Sequence, residues 1–261
     1  NPTDPPVGDR ILSTNDIETW YVVARDAYFN TLSLDVSLSL SGVFAGQSDV
    51  ILQGANTILV QPTQIGTGTI TAVPNAQEYS GLSAVTGTIT VSATTENAYF
   101  DVHLENSQNV QIADFANVTA NDPYDIVIQI RDENGNPVET AFDGPRAITL
   151  TVAGGTTNPE GRSFDIPNDL TCTFTLGICR FEDGFIPHTD GNTIEIVASY
   201  TFAGNGQKVN GKTNVNVVAG VFDHYAVSPA TTTYQPAQDF STTFSVTIYP
   251  RDGSGNNLAM G

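Results

Sequence analysis

Basic residues are scarce in this chain. Its 261 residues hold 9 Lys and Arg against 28 Asp and Glu, and the only lysines are Lys208 and Lys212. The net charge is −19 although only 14% of residues are charged, so the acidity comes from missing bases and not from an excess of acids. Such a surface repels nucleic acid and anionic lipid and keeps the protein soluble. No run approaches the roughly 18 apolar residues of a membrane span, which excludes insertion by a helix. Helical periodicity is also missing, as are runs of Ala, Leu, Glu and Lys. The chain starts at Asn1, not Met, as a processed chain or a fragment would.

Signals for catalysis are equally thin. The three histidines, His103, His188 and His224, are scattered. There is no nucleophile elbow, phosphate loop or His-Glu-x-x-His motif. Neighbouring acids such as Glu182-Asp183, or Asp122 with Asp125, are what 28 acids in 261 residues produce by chance. No catalytic residue is assigned, and the chain is not read as an enzyme. Aromatics form no platform for sugar stacking. Trp20, the sole Trp, fits either a core or an exposed edge.

What the chain has is alternation. LSLDVSLSLSG (32–42), GTITAV (68–73), GTITVSA (87–93), AITLTVAGG (147–155), NTIEIVASY (192–200) and TNVNVVAG (213–220) each alternate apolar and polar residues. That pattern gives a strand one face on a core and one in water, and Gly, Pro, Asn and Asp punctuate the runs. The class is all-β with antiparallel sheets.

One phrase recurs. IVIQIRDENGN (126–136) and SVTIYPRDGSGN (245–256) share an alternating run, Arg-Asp and a turn ending in Asn, and YVVARDAYFN (21–30) is a weaker copy. Arg25, Arg131 and Arg251 lie 106 and 120 residues apart, the scale of tandem domains and not of solenoid repeats. A second phrase sets the register. Phe100-Asp101 stands 31 residues before Arg131, and Phe222-Asp223 stands 29 before Arg251. The expected domains are 1–97 with a shortened first strand, a complete unit 98–219, and 220–261 as the first strands of a third.

Cys172 and Cys179 sit in TCTFTLGICRF. A reversal between 175 and 176 puts them opposite each other across a hairpin, within reach of disulfide geometry. Two thiols with His188 as the only nearby His do not make a zinc site. A structural disulfide points to an oxidising compartment.

The Arg-Asp turn is the candidate metal site. Asp132, Asn134 and Asn136 have the one-three-five spacing that opens a calcium loop, but Asp143 stands where the bidentate Glu belongs. Across the three copies only Asp-x-x-x-Asn survives (Asp26 with Asn30, Asp252 with Asn256), which an Asp-capped turn explains without metal. Calcium at the domain junctions is a separate reading, with Glu96, Asp101 and Glu105 at the first and Asp223 with Asp252 in the next unit. No cofactor is required, and Ca2+ is the one candidate. Asn117-Val118-Thr119 is the only N-glycosylation sequon.

IVIQIRDENGNPVETAFDGPRAITLTVAGG resembles the bacterial Ig-like repeats of invasin- and intimin-type adhesins and of large secreted repeat proteins. FDHYAVSPATTTYQPAQDFSTTFSVTI looks like the opening of such a repeat, and CTFTLGICRF with NTIEIVASYTF like its later strands. The likeness covers 98–261 well and 1–97 less well. It implies tandem immunoglobulin-like β-sandwiches at the cell surface or outside the cell, in stalks, adhesins, surface layers or filaments, without catalytic residues. The implied partners are copies of the chain, neighbouring Ig-like domains, or a host or cell-surface glycan or protein. Two further readings stay open: a carbohydrate- or receptor-binding module of a secreted protein, and a polymer subunit assembled by strand exchange through 220–261.

Overall fold

Alternation becomes sheet wherever one face finds a core. In the strand Ile89–Ser92 the apolar Ile89 and Val91 are buried while Thr90 and Ser92 face water. A computed structural model describes residues 8–26, 28, 30–32, 35–46, 49–54, 56–75, 84–155, 157, 162–228 and 246–258. The chain's first seven residues, and the polar stretch 229–245 read as leading into the last Arg-Asp turn, lie outside the described residues. Among the described residues the only helix is the single 3-10 turn Gly42–Phe44. Among the described residues the fold is all-β.

The chain divides into two compact units. Unit 1 comprises 1–99 with 130–143, and unit 2 comprises 100–129 with 144–261. Unit 1 is made of small sheets. Arg10–Ser13 runs parallel to Ile89–Ser92, which pairs antiparallel with Gly66–Gly68. Val36–Leu40 pairs with Ile70–Pro74, and Glu18–Tyr21 and Val50–Gln53 flank Thr57–Val60. Their inward faces enclose Leu12, Trp20, Phe44, Val50, Ile58, Val60, Ile70, Ile89 and Val91. Trp20 is therefore core, 7% exposed, with its indole N–H donating to Glu18 at 2.6 Å.

Unit 2 is a two-sheet sandwich. One sheet runs in the order Gln111–Ile112, Tyr99–Glu105, Tyr124–Arg131, Ile178–Pro187, Phe164–Asp165. The other runs Ala116–Thr119, Lys208–Val218, Thr193–Thr201, Thr149–Ala153. The opening of this unit is thus shared between the sheets: Tyr99–Glu105 joins the first, and Ala116–Thr119 joins the second, parallel to Lys208–Val218. Burying Val102, Leu104, Ile126, Ile128 and Phe185 on one side and Val118, Ile194, Ile196, Val215 and Val217 on the other makes the core. Two short pairs complete the unit, Gly144–Ala147 with Thr171–Phe174 and Phe222–Ser228 with Thr247–Asp252.

Cys172 and Cys179 form the disulfide, both buried, with Cα atoms 6.0 Å apart. The chain reverses one residue later than the spacing suggests. Leu176 and Gly177 both take positive φ (52° and 72°), and Thr175 and Ile178 exchange hydrogen bonds of 2.9 and 3.1 Å. A two-residue turn of that kind matches strand twist. It shifts the register by two, so the half-cystines are diagonal neighbours and not directly opposite. Closing a loop of eight residues contributes roughly 2.5 kcal/mol. Calorimetry with and without a reductant is expected to show unit 2 melting lower once reduced and unit 1 unmoved; equal shifts in both would sink this assignment.

Candidate functional site

The three Arg-Asp turns share one internal network. In 132–136 the Asp132 N–H donates to Asn136 O (2.9 Å), and Asp132 Oδ1 accepts the N–H groups of Asn134 (3.0 Å) and Asn136 (2.8 Å). In 252–256 Asp252 Oδ1 accepts from the N–H groups of Ser254 and Asn256, each at 2.9 Å, and in 26–30 Asp26 Oδ1 accepts from Tyr28 and Asn30, each at 2.8 Å. In every copy the closing Asn also donates its side-chain amide to the carboxylate. Gly135 and Gly255 hold the fourth position at φ 86° and 81°, where a side chain would be strained. A short side chain with an acceptor oxygen reaches the N–H groups two and four residues on, as Asn106 also does at 106–110, and the carboxylate of Asp adds a second oxygen for the closing Asn amide and the seat.

Two of these turns are seated on a partner surface inside their own unit. In unit 1, Asp132 Oδ2 accepts the Thr14 hydroxyl at 2.7 Å, the Asn136 amide donates to Thr63 O at 2.8 Å, and the Asn134 amide reaches Asn15 Oδ1 at 3.5 Å. In unit 2, Asp252 Oδ2 accepts the Gly220 N–H at 2.8 Å, the Asn256 amide donates to His188 O at 2.8 Å, and the Ser254 hydroxyl donates to Asn121 Oδ1. The two seats use matching positions. Asn15 and Asn121 both precede Asp, and Thr63 and His188 both follow Pro. Asp132 and Asp252 are both fully buried. A buried carboxylate is tolerable only when its lone pairs are met, and here each is met by several donors.

That donor set does not suit a cation. Both oxygens of Asp132 and of Asp252 are occupied by N–H and O–H groups pointing inward, which is the arrangement that caps an anion. Asn134 and Asn136 present amide hydrogens, not free oxygens, to their neighbours in unit 1. Among the described residues no three of His, Cys, Asp and Glu converge. Of the acids read as junction candidates, Glu105 holds Arg180 at 2.6 Å, a guanidinium it shares with Asp125 at 2.6 Å, and Asp223 pairs with His224 at 2.8 Å. The two carboxylates keep Arg180 more firmly protonated than usual, Asp125 first and Glu105 second. Asn117 is exposed on Ala116–Thr119, paired beside Asn216.

Sequence reading missed the role of His188. It is 4% exposed, with Nε2 3.0 Å from Asp165 Oδ2 and Nδ1 3.1 Å from Asn121 Oδ1 and 3.3 Å from the Ser254 hydroxyl. Ser, His and Asp in line suggest a hydrolase, but Ser254 is 3% exposed and its proton is committed to Asn121. No substrate can reach this oxygen, so the group serves as the floor of the seat. The signal that could have pointed to it is the paired Asn-Asp and Pro-x positions.

Charge makes the unit 2 seat acid-sensitive. Burial acts most strongly on Asp252 and pushes its pKa up, but hydrogen bonds from Asn256, Gly220 and Ser254 together outweigh it, so the net shift is below the usual 3.8. Asp165 is also lowered, chiefly by its hydrogen bond with His188. A carboxylate with a depressed folded pKa stabilises above its unfolded pKa, and that contribution is lost as pH falls through the folded value. Asp190, raised by burial and then by the charge of Asp252, works in the opposite sense and offsets part of the loss. The melting temperature of unit 2 is expected to fall below about pH 4. Asp252→Asn should flatten that fall; an unchanged acid limb would remove Asp252 as its cause.

The chain matches no family model and no curated protein. Among solved structures it is similar to InvD of Yersinia pseudotuberculosis at 15% identity, over 97% of this chain and 71% of that one, with a TM-score of 0.34. The adhesin InvE of the same organism is 13% identical over 80% and 56%, with a TM-score of 0.29. Domains 4 and 5 of the S-layer protein SbsC are 14% identical over 76% and 80%, with a TM-score of 0.24. These are the kinds of protein that the Arg-Asp phrases resemble. Scores this low carry no weight for function, and the sandwich stands on its own strand order.

Proposed function

We propose that this chain is an extracellular structural or adhesive protein, a stretch of a cell-surface stalk, surface layer or filament made of tandem Ig-like domains. The observation that carries this reading is the repeated seat. A turn belonging to one repeat completes the unit before it, at two places and with matching partners. A chain built this way lengthens by repetition, and each added repeat closes its predecessor. The buried disulfide supports an oxidising location, and the shortage of bases supports a surface that stays apart from nucleic acid and lipid headgroups. Antibodies against the chain are expected to label intact cells of the source organism. Labelling only after permeabilisation would overturn the proposal.

Metal is no part of this reading. Millimolar calcium is expected to leave both melting transitions where a chelator leaves them, because the seat carboxylates already accept from protein donors. A calcium-dependent rise in the unit 1 transition would restore the metal site at Asp132, Asn134 and Asn136.

One feature favours a polymer version. The hairpin of Phe222–Ser228 and Thr247–Asp252 exposes Phe222, Tyr225, Val227 and Ile248, each about half open to solvent or more. Among the described residues this pair has no third strand beside it, and exposed strand edges accept others. Strand exchange with a second copy of the chain would cover it. Light scattering decides: concentration-dependent growth supports exchange, and a stable monomer ends it.

A further inference from the structure

The first Arg-Asp turn carries the same network as the other two but has a different environment. Asp26, Tyr28 and Asn30 reproduce the hydrogen bonds of 132–136 and 252–256. Yet where Asp132 and Asp252 are fully buried, Asp26 is only half-buried, and where Asn136 is half-buried and Asn256 buried, Asn30 is exposed; Tyr28 is 85% exposed. Among the described residues, the Asp26 carboxylate accepts hydrogen bonds only from within its own turn, from Tyr28 and Asn30. The described residues thus contain three turns of one design and two seats, each seat filled.

We infer that the 26–30 turn is a third plug, and that its partner is an Ig-like unit with an open seat of the same chemistry. Three requirements define that seat. A hydroxyl or backbone N–H must meet Asp26 Oδ2, as Thr14 meets Asp132 and Gly220 meets Asp252. A backbone carbonyl, from a residue following Pro, must accept the Asn30 amide, as Thr63 and His188 do for Asn136 and Asn256. An Asn must lie opposite the third position of the turn, where Asn15 meets Asn134 and Asn121 meets Ser254. Tyr28 fills that third position, and its exposed ring would lie over the seat's Asn. The partner is recognised by its backbone as much as by its side chains, so a related repeat of different sequence qualifies. The inference stands on the geometry of the two filled seats and holds wherever the protein resides.

The test extends the whole chain at its N-terminus by a second copy of residues 100–227. The added Phe222 then stands 30 residues before Arg25, between the 29 and 31 of the other copies. The added unit lacks 252–256, so its seat of Asn121, His188 and Gly220 is open. In this extended protein Asp26→Ala is expected to lower the melting temperature by roughly 10 °C. In the unextended chain the same substitution should be nearly silent. Hydrogen exchange at the Tyr28 and Asn30 amides is expected to slow by about tenfold or more on extension. A second extension, built from residues 1–105 with the seat of Thr14, Asn15 and Thr63, guards against misfolding of the first. Asp26→Ala silent in both extended proteins, with exchange unchanged, would overturn the inference. Loss of surface labelling, by contrast, would leave it untouched.

Discussion

Asp132→Ala is expected to destabilise unit 1 by about 3 kcal/mol, the sum of several orphaned donors each costing roughly 1–3 kcal/mol when buried and less where water reaches them. The carboxylate is fully buried and meets the Thr14 hydroxyl, the Asn136 amide and two backbone N–H groups. Removing it strips the seat from one side and the turn's own cap from the other. For a unit of this size each kcal/mol moves the melting temperature by about 4 °C or more, so a drop near 12 °C is expected in calorimetry. Asp26→Ala removes the same internal cap from an exposed turn and supplies the control, with little change expected in the melting temperature. If the two substitutions cost the same, the seat contributes nothing and only the turn matters.

The second large effect lies on the strand Lys208–Val218. A methyl group on Gly211 would collide with the Phe100 carbonyl oxygen and stand 2.9 Å from Phe100 Cβ. Backbone cannot step aside as a flexible side chain can. Phe100 is 2% exposed and stacked on Phe174 with ring centroids 6.0 Å apart, so any retreat spreads into the core. Gly211→Ala is expected to cost unit 2 about 3 kcal/mol, and Gly211→Val more. Gly204→Ala is the comparison, since a methyl there meets nothing within 4 Å. Denaturant titration should separate the two; equal midpoints would show that the sheets open freely at this point.

Much of the fold is legible in the sequence because strands announce themselves by alternation. Thr149–Ala153, Thr193–Thr201 and Lys208–Val218 all fall within or across the runs expected to be strands. The cysteine pair is legible too, because seven residues around Leu-Gly leave few other geometries. Its register is not: a Leu at positive φ carries no sequence signature, and it moves the turn by one residue. The seats are harder still. Three of the six partner groups are backbone, Thr63 O, His188 O and the Gly220 N–H, and backbone groups look alike in any sequence. Even the donor to the carboxylate changes kind, since Ala120 stands where Thr14 would align and Gly220 takes over its task. The turn drew attention as a metal loop because Asp and Asn serve both purposes. What separates the two is which atoms face the carboxylate, and spacing alone does not tell.

The parallel pairs have a mechanical consequence. In unit 2, Ala116–Thr119 lies beside Lys208–Val218 in four consecutive parallel positions, and in unit 1 Arg10–Ser13 lies likewise beside Ile89–Ser92. One strand of each pair is near the start of its repeat and the other near the end. Tension applied through the chain draws such strands in opposite directions along their common axis. The rungs between them are loaded together in shear and cannot be peeled one at a time like a zipper. Resistance to stretching then depends on a short patch of four rungs in each repeat, and a proline placed at Val118 would weaken a unit under force far more than its effect on thermal stability suggests.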